Sequence, residues 1–274
     1  MAADDSLPVP EKPTTIIFDN VSLAFEDNRV LDSVSFHLQR GETKAVLGVA
    51  GAGKTLILKL AMGLIKPDDG RIFVLGEEVT AMKEHDLFEL RRKIGMVFQE
   101  SALFDSLTVE ANVAYRLYEE KVPEEEIRSR VLEALRFVEL EHTINLLPSE
   151  LSGGMRRRVA IARAIITQPE ILLYDSPTGG LDPVTSTTIV ELLVKQRDFY
   201  KTSALLVTHR LQDAFIMATH VWDAKSNKMV AVPRGSERDI NMSFLVLRDS
   251  QKIFEGTAEE MVKSKDPYLR EYLS

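Results

Sequence analysis

The sequence predicts an α/β fold built on buried parallel strands, and two features lead to that prediction. Two near-continuous apolar runs, Ile171–Tyr174 and Ala204–Val207, are each followed by a helical stretch, as expected for parallel strands that are covered on both faces. Another strand, Thr43–Leu47, runs into a glycine-rich turn, and a helix is predicted after it from about Gly53 to Met62. Strands that alternate with helices in this way are typical of a parallel sheet.

The composition narrows both the class of protein and its chemistry. The 274 residues are 45% hydrophobic and 28% charged, which is ordinary for a globular domain with a large core. The formal net charge of −8 disfavours nucleic-acid binding through a basic surface, so we expect no nucleic-acid partner. The absence of cysteine excludes disulfides, thiolate zinc sites and thiol catalysis, and it fits a reducing compartment.

The hydropathy pattern predicts no segment that enters a membrane. The first residues are acidic and lack an apolar run, so we expect no signal peptide. No stretch of the sequence approaches the ~18 consecutive apolar residues that a spanning helix needs. Any role at a membrane is therefore expected to come through a partner.

The first part of the chain is predicted to be rich in strands. Residues 1–13 are polar and proline-rich and are expected to form a disordered lead-in. Thr15–Val21 and Val30–Leu38 follow β-like patterns, the latter with strict alternation near its end. Arg71–Leu75 and Ile94–Phe98 are predicted as further short strands.

The remaining segments differ from one another in pattern. Residues 107–167 are rich in predicted helix, and Pro123, followed by three glutamates, is expected at the first position of one helix. Residues 222–242 are turn-rich and charged and are interpreted as an insertion; Phe244–Leu247 and two short helices are predicted to end the chain. The apolar stripe of the Pro123 helix is expected in the core and consists of Leu132, Leu135, Val138 and Leu140.

A nucleotide-binding motif follows the strand that ends at Leu47. Its sequence, GVAGAGKT, matches the pattern G-x-x-x-x-G-K-[ST], in which glycines turn successive backbone amides towards one anion. Lys54 is expected to reach the β- and γ-phosphates, and the Thr55 hydroxyl to ligate Mg²⁺. The predicted phosphate-binding residues are Gly48, Val49, Ala50, Gly51, Ala52, Gly53, Lys54 and Thr55.

An acidic residue ends the apolar strand that begins at Ile171. Asp175 stands at the C-terminal end of this strand, where a carboxylate can hold Mg²⁺ directly or through water. Many strands end in aspartate, so the pattern is weak by itself. Beside a phosphate-binding loop it predicts a magnesium ligand.

A further motif, Leu151–Met155 with the sequence LSGGM, lies upstream of Asp175 and opens a predicted helix. Here the chain resembles the ATP-binding cassette (ABC) family, whose signature is L-S-G-G-x. The resemblance extends from about Thr15 to the C-terminus. The matching elements occur in the family's order: Phe25, the phosphate-binding loop, Gln99, Ser152–Gly154, Asp175, Gly180–Asp182 and His209.

The resemblance implies a fold and a domain organisation. Residues 14–263 are expected to form a P-loop NTPase domain of the ABC nucleotide-binding type, with a RecA-like parallel-sheet core and an antiparallel β subdomain. A helical subdomain is expected at about residues 100–167. Residues 264–274 are expected to form a C-terminal extension.

The resemblance also implies roles for the matched residues, with ATP and Mg²⁺ as cofactors. Phe25 stacks on adenine, Gln99 senses Mg²⁺ and the membrane partner, and His209 senses the γ-phosphate. In a head-to-tail homodimer, each ATP lies between one subunit's phosphate-binding loop and the other's signature, so two nucleotides join two subunits. The signature residues are Ser152, Gly153 and Gly154, and the magnesium ligands are Thr55, Gln99 and Asp175.

One position departs from the family pattern. After the magnesium-binding aspartate the family usually has a glutamate that deprotonates the attacking water, and this chain has Ser176. A serine hydroxyl can bind water but cannot accept its proton at neutral pH. Either another group takes over, with His209 or Asp182 of the opposite subunit as candidates, or ATP hydrolysis is slow.

The other charged candidates are assigned no part in the site. Arg156–Arg158 would ordinarily form a solvated helix face, and this interpretation is kept for Arg157. The other histidines have no acidic or histidine partners at ligand spacing, so no metal role is expected for His37, His85, His142 or His220.

Within the family, the chain is most similar to the Mla/MCE-type ATPases that serve transport of phospholipids and hydrophobic compounds. The segments that carry this similarity are Ser101–Val109, Met155 and Ser264–Leu273. It implies an integral-membrane permease and an MCE-type substrate-binding protein as partners, and a peripheral location on the cytoplasmic face of the inner membrane. An ATPase of another importer or exporter branch and a slowly hydrolysing regulatory cassette remain alternatives. The apolar end of the chain is expected to stabilise the dimer or to pack on its own domain.

Overall fold

The computed structural model describes residues 13–26, 28–233 and 240–273. Its strands are β1 (Thr14–Phe25), β2 (Asn28–Gln39), β3 (Thr43–Leu47), β4 (Asp69–Val74), β5 (Glu77–Glu78), β6 (Ile94–Val97), β7 (Ile171–Asp175), β8 (Ser203–Val207), β9 (His220–Asp223), β10 (Lys228–Ala231), β11 (Met242–Arg248) and β12 (Gln251–Gly256). Its α-helices are α1 (Lys54–Ala61), α2 (Glu84–Arg92), α3 (Val109–Glu119), α4 (Glu124–Phe137), α5 (Gly153–Ile165), α6 (Pro183–Tyr200), α7 (Leu211–Thr219), α8 (Ala258–Lys263) and α9 (Pro267–Leu273). Residues 1–12 of the predicted lead-in and residues 234–239 of the predicted insertion lie outside the described residues.

The described residues divide into two compact units, and unit 1 contains those within 13–91, 203–211 and 241–273. It has an antiparallel sheet of order β2-β1-β4-β5, and a second set of strands in the order β12-β11-β3-β8. In the second set, β11 and β8 both run parallel to β3. The pairs Val246–Leu47 and Val46–Val207 bring the C-terminal ends of these three strands to one edge.

The sequence pattern of β2 explains the packing of the antiparallel sheet. Val34, Phe36 and Leu38 alternate with polar residues and are buried, so one face of the strand lies in the core. Across the sheet the Phe36 ring stacks on the Phe18 ring of β1, with centroids 4.6 Å apart. The strands β1, β2 and β3 that the pattern predicts are confirmed.

Unit 2 contains residues 92–202 and 212–240. Its strands β6 and β7 are parallel, in a register that runs from Ile94–Ile171 to Val97–Tyr174, and helices α3, α4 and α5 follow between them in the chain. Helix α4 begins one residue later than predicted, because Pro123 is its N-cap. Its buried residues are Ile127, Val131, Ala134 and Leu135, whereas the predicted core residue Leu132 is only half-buried.

Two elements near the end of the chain were not predicted. Strand β12 pairs antiparallel with β11 through a tight turn at Asp249–Ser250, where both residues have positive φ. Such turns usually contain glycine or asparagine, so this dipeptide gave no hairpin signal. In the predicted insertion, β9 and β10 form an antiparallel hairpin. No helix among the described residues is long and apolar enough to cross a membrane.

The C-terminal helix α9 packs on unit 1 of its own chain. Leu269 is almost completely buried, and the Arg248 guanidinium lies 4.3 Å from the centroid of the Tyr268 ring. The Tyr268 and Tyr272 rings stack at 5.8 Å. The end of the chain was expected either to stabilise a dimer or to pack on its own domain, and in this structure it packs on its own domain.

Candidate functional site

The predicted phosphate-binding loop lies at the edge where the parallel strands of unit 1 end. Strand β3 is buried throughout and ends at Leu47, and α1 begins at Lys54 with Gly53 as a left-handed N-cap. Gly51 has a φ of 82°, and a Cβ atom there would meet nothing within 4 Å. The loop therefore leaves open space beside Gly51, before a helix that has no acid in its first turn. This arrangement suits a phosphate group.

The two side chains that open α1 point to the same chemistry. Lys54 is only 9% exposed, and its Nζ donates to the carbonyl oxygens of Gly48 at 2.9 Å and Val49 at 2.7 Å. The loop itself thus holds the ammonium group, for which a phosphate oxygen is a stronger acceptor than a carbonyl. Thr55 follows and is half-buried, with a hydroxyl of the kind that ligates Mg²⁺ in such loops.

Phe25 and His209 complete the predicted site residues of unit 1. Phe25 ends β1 and is 50% exposed, so it is not a core residue and its ring is accessible for stacking. His209 is exposed and follows β8, the strand that pairs in parallel with β3. Because neighbouring parallel strands end at the same edge, His209 and the phosphate-binding loop share that edge of unit 1.

In unit 2 the ends of β6 and β7 bring three predicted site residues together. Gln99 follows β6, and Asp175 is the last residue of β7, which pairs in parallel with β6. A Cβ atom at Gly179 would lie 3.4 Å from the Cβ of Ser176 and 3.7 Å from the Cγ of Gln99. Asp175 is buried, with only 7% of its surface exposed. A buried carboxylate, a hydroxyl and an amide thus meet at one edge.

Ser176 occupies an unusual backbone conformation. Its φ is +44°, in the left-handed region that non-glycine residues seldom adopt. The Ser176 hydroxyl donates to Oδ1 of Asp175 at 3.4 Å, and the Ser176 carbonyl accepts from the Gly179 amide at 2.8 Å. The side chain is therefore directed at the predicted magnesium ligand but has no basic group.

Asp182 is the N-cap of helix α6. Its carboxylate accepts from the Thr185 amide at 3.0 Å and also from the Thr185 hydroxyl. These hydrogen bonds hold the pKa of Asp182 below its usual value, because they favour the ionised form. A carboxylate with a lowered pKa is a poorer proton acceptor, which makes Asp182 the weaker of the two candidate bases.

The signature residues form the first turn of helix α5. The Ser152 hydroxyl caps the helix by accepting from the Met155 amide at 3.2 Å. A Cβ atom at Gly154 would lie 2.4 Å from the Cγ2 of Thr185, so glycine is required where α5 approaches the start of α6. The first turn contains no acid, and a helix N-terminus of this kind can bind an anion.

Arg157 contradicts its prediction as a solvated residue. It is 4% exposed, and its guanidinium donates to the carbonyl oxygens of Phe98 at 3.1 Å and of Ser176 and Gly179 at 3.3 Å each. The charge is tolerated inside because three carbonyls receive its donors. Helical spacing was the missed signal, since Arg157 precedes buried Ile161 by one turn.

Each unit by itself contains predicted site residues of a kind that suits part of a magnesium nucleotide. The open loop and the Lys54 ammonium suit phosphates. A hydroxyl, a carboxylate and an amide oxygen are the hard ligands that Mg²⁺ takes. Unit 1 contains Phe25, residues 48–55 and His209, and unit 2 contains Gln99, Ser152–Gly154, Asp175, Ser176 and Asp182.

Known proteins with similar sequences are ATP-binding proteins of transport systems. The chain is 42% identical over 200 residues to the methionine import ATP-binding protein MetN 2 of Bacillus cereus, across 72% of this chain and 59% of that protein's length. It is 32% identical over 255 residues to the intermembrane phospholipid transport system ATP-binding protein MlaF of Escherichia coli, across 93% of this chain and 86% of that protein.

A solved structure and a family model agree with these relatives. The ATP-binding cassette MJ0796, a dimer in a post-hydrolysis state bound to ADP and Pi, matches with a TM-score of 0.73 and 29% identity over 88% of this chain and 98% of that one. The ABC transporter family model matches residues 31–179, which include the phosphate-binding loop, the signature and Asp175. The chain therefore belongs to the ABC transporter family, whose cassettes bind ATP with Mg²⁺.

Proposed function

We propose that this chain hydrolyses ATP as a homodimer, with two nucleotides between the subunits, and thereby energises transport through a membrane permease. The capped N-terminus of α5 carries the proposal, because its first turn is the signature motif and contains no acid, and such a helix N-terminus attracts anions. The second subunit's nucleotide is the anion that we assign to it. The dimeric cassette bound to ADP and Pi supports this assembly.

The chain's own groups divide the work of hydrolysis. Lys54 and the loop amides bind the phosphates and stabilise the charge that develops on them. Thr55, Gln99 and Asp175 would hold Mg²⁺, which neutralises phosphate charge when it is bound. Ser176 can orient water through its hydroxyl, but it cannot take the proton. Hydrolysis is therefore slow; of the two substitute proton acceptors, His209 is favoured over Asp182, because the hydrogen bonds from Thr185 lower the pKa of Asp182.

Light scattering combined with phosphate release tests this function. The purified protein is expected to be a monomer without nucleotide and a dimer with MgATP, and to release phosphate slowly. Ser152→Ala removes the α5 cap and is expected to weaken the dimer, while Ser264→Ala, outside the signature, is not. A molecular mass that does not change when MgATP is added would contradict the dimer. Absence of MgATP binding would contradict the nucleotide site.

We further propose phospholipids or other hydrophobic compounds as the cargo, with an MCE-type substrate-binding protein as a partner and a location on the cytoplasmic face of the inner membrane. The phospholipid-transport relative supports this branch, because its similarity extends over nearly the whole of both chains. Transfer of a fluorescent phospholipid by the reconstituted complex is the test. Transport of an amino acid instead would favour the branch of the methionine importer, whose identity is higher over a shorter length.

A regulatory cassette that binds ATP and rarely hydrolyses it is a second candidate, and Ser176 is the observation that favours it. The two candidates differ in phosphate release from the complete complex with its permease. A transport ATPase is expected to be stimulated by the permease and its cargo. A regulatory cassette is expected to remain slow in both states.

A further inference from the structure

Arg157 joins two turns of unit 2 that carry site residues. The Phe98 carbonyl that it contacts also accepts from the Ser101 amide at 3.0 Å, and this closes the turn that contains Gln99. The Ser176 carbonyl that it contacts accepts from the Gly179 amide at 2.8 Å, and this closes the second turn. One guanidinium therefore supports both turns at the carbonyls on which they depend.

The arginine guanidinium suits this set of contacts, because its two terminal nitrogens donate to carbonyls of different segments. Its planar group has five donors in a fixed arrangement, whereas lysine has a single nitrogen. Burial lowers the pKa of the Arg157 guanidinium, against the attraction of nearby Asp175 and Glu100. The Nε atom has no hydrogen-bond partner among the described residues, so the group is fixed by its three carbonyl contacts. The three acceptor carbonyls belong to Phe98, which precedes Gln99, to Ser176 itself, and to Gly179.

A second arginine of the same helix holds the other side of the Gln99 turn. The Arg163 guanidinium donates to the carbonyl oxygens of Ser101 and Ala102, both at 2.7 Å. Ser101 and Ala102 have φ values of 65° and 47°, in the left-handed region where non-glycine backbone is strained. Two arginines of helix α5 therefore hold the Gln99 turn by hydrogen bonds, so a displacement of the helix would move the turn with it.

We propose that Arg157 is a positioning residue that transmits occupancy of the signature turn to Gln99 and to the Ser176–Gly179 turn, with Arg163 as a second hold on the Gln99 side. The signature residues are the first turn of the helix that carries both arginines, so an anion that binds there acts on the same rigid element. The inference rests on the proposed function. It adds a physical connection between the signature and the hydrolytic groups within one subunit.

Hydrogen exchange at two backbone amides tests the connection directly. In Arg157→Lys we expect the Ser101 and Gly179 amides to exchange about tenfold faster than in wild type, because their acceptor carbonyls lose a supporting donor. MgATP is expected to slow exchange at both amides in wild type and to do so much less in the variant. Arg158→Lys is the matched control, since Arg158 lies on the same helix and donates to Val138 at 3.1 Å.

Arg163→Lys separates the two arms, because it is expected to speed exchange at Ser101 and not at Gly179. In phosphate release, Arg157→Lys is expected to lower kcat about tenfold or more with an unchanged KM for ATP. If Arg157→Lys does not fold, Arg157→Gln, which keeps a donor without the charge, takes its place. Exchange at both amides equal to that of wild type would overturn the proposal. Failure of the proposed function would appear separately, as wild type that does not bind MgATP, while the nucleotide-free exchange still tests Arg157.

Discussion

The Ser176 hydroxyl lies 3.4 Å from Oδ1 of Asp175 and donates to it. In this arrangement the serine supports the carboxylate that is expected to hold Mg²⁺, and it offers nothing that can accept a proton. Both residues are buried, so bulk water does not replace this contact. If Asp175 holds Mg²⁺ as expected, the residue beside it can bind water but cannot act as its base.

Substitution of Lys54 by alanine is expected to weaken MgATP binding by about 100-fold, because a charge-assisted contact to phosphate is lost. Isothermal titration calorimetry measures the affinity. Lys59→Ala is the matched control, since Lys59 is exposed on the same helix α1. Both variants are expected to keep their circular dichroism spectra. If Lys54→Ala binds MgATP with an affinity within a few-fold of wild type, residues 48–55 are not the phosphate-binding loop.

Phe104→Glu is expected to prevent assembly with the permease while MgATP affinity stays unchanged. Phe104 is 43% exposed and packs on exposed Tyr115 with ring centroids 4.7 Å apart, and buried Asn112 fixes this loop through the Phe104 amide at 2.7 Å. An accessible aromatic pair close in sequence to Gln99 suits a helix of a membrane partner. Co-purification measures assembly, and Phe199→Glu, at a still more exposed phenylalanine of α6, controls for added charge. Normal recovery of the permease with Phe104→Glu would exclude this surface.

Leu269→Ala is expected to lower the free energy of unfolding by about 2–5 kcal/mol, because Leu269 is the buried residue of α9 and its truncation leaves a cavity. Denaturant unfolding measures the change, with exposed Lys265→Ala as the control. The mass of the MgATP dimer is expected to stay unchanged, since α9 contacts its own unit. A dimer that dissociates without any loss of subunit stability would instead place this segment on the opposite subunit.

A buried charge cluster in unit 1 predicts a dependence of stability on pH. The Lys44 ammonium contacts Glu255 at 2.8 Å and Glu42 at 3.3 Å. Burial alone would raise the pKa of Glu255, but the contacts with Lys44 and Lys252 bring it below the usual value of 4.5. A lowered folded-state pKa means that the contribution of Glu255 is present above about pH 4.5 and is lost as pH falls through the folded value.

Lys44→Ala is accordingly expected to cost roughly 3–5 kcal/mol near pH 7, because buried Glu42 loses its cation and half-buried Glu255 keeps only Lys252. The difference from wild type is expected to shrink as pH falls below 4.5 and through the lowered pKa of Glu255, because protonated Glu255 no longer needs the lysine. Chemical denaturation at several pH values measures it, and Lys252→Ala, at a more exposed lysine, is expected to cost less. A cost that stays constant from pH 7 to pH 4 would show that the charges are not the cause.

The sequence predicted the parts of the site that depend on local patterns. The phosphate-binding loop follows a strand and opens a helix, so its glycines and Lys54 could be placed without knowledge of the fold. Arg157 could not be placed in this way, because its burial depends on carbonyls from two distant segments of the chain. Strand β12 was missed for a local reason, the left-handed Asp249–Ser250 turn without glycine.

The most direct test of the account is steady-state phosphate release by wild type and Ser176→Glu. A missing general base typically costs ~10²–10⁴-fold in rate, whereas the phosphate-binding groups supply most of the remaining catalysis. Wild type is therefore expected to form a long-lived MgATP dimer and to turn over slowly, and Ser176→Glu to hydrolyse ATP ~10-fold faster or more. Ser176→Gln, which adds similar volume without a basic group, is expected to show no acceleration. Brisk hydrolysis by wild type that Ser176→Glu leaves unchanged or lowers would contradict the account and show that another residue is the base.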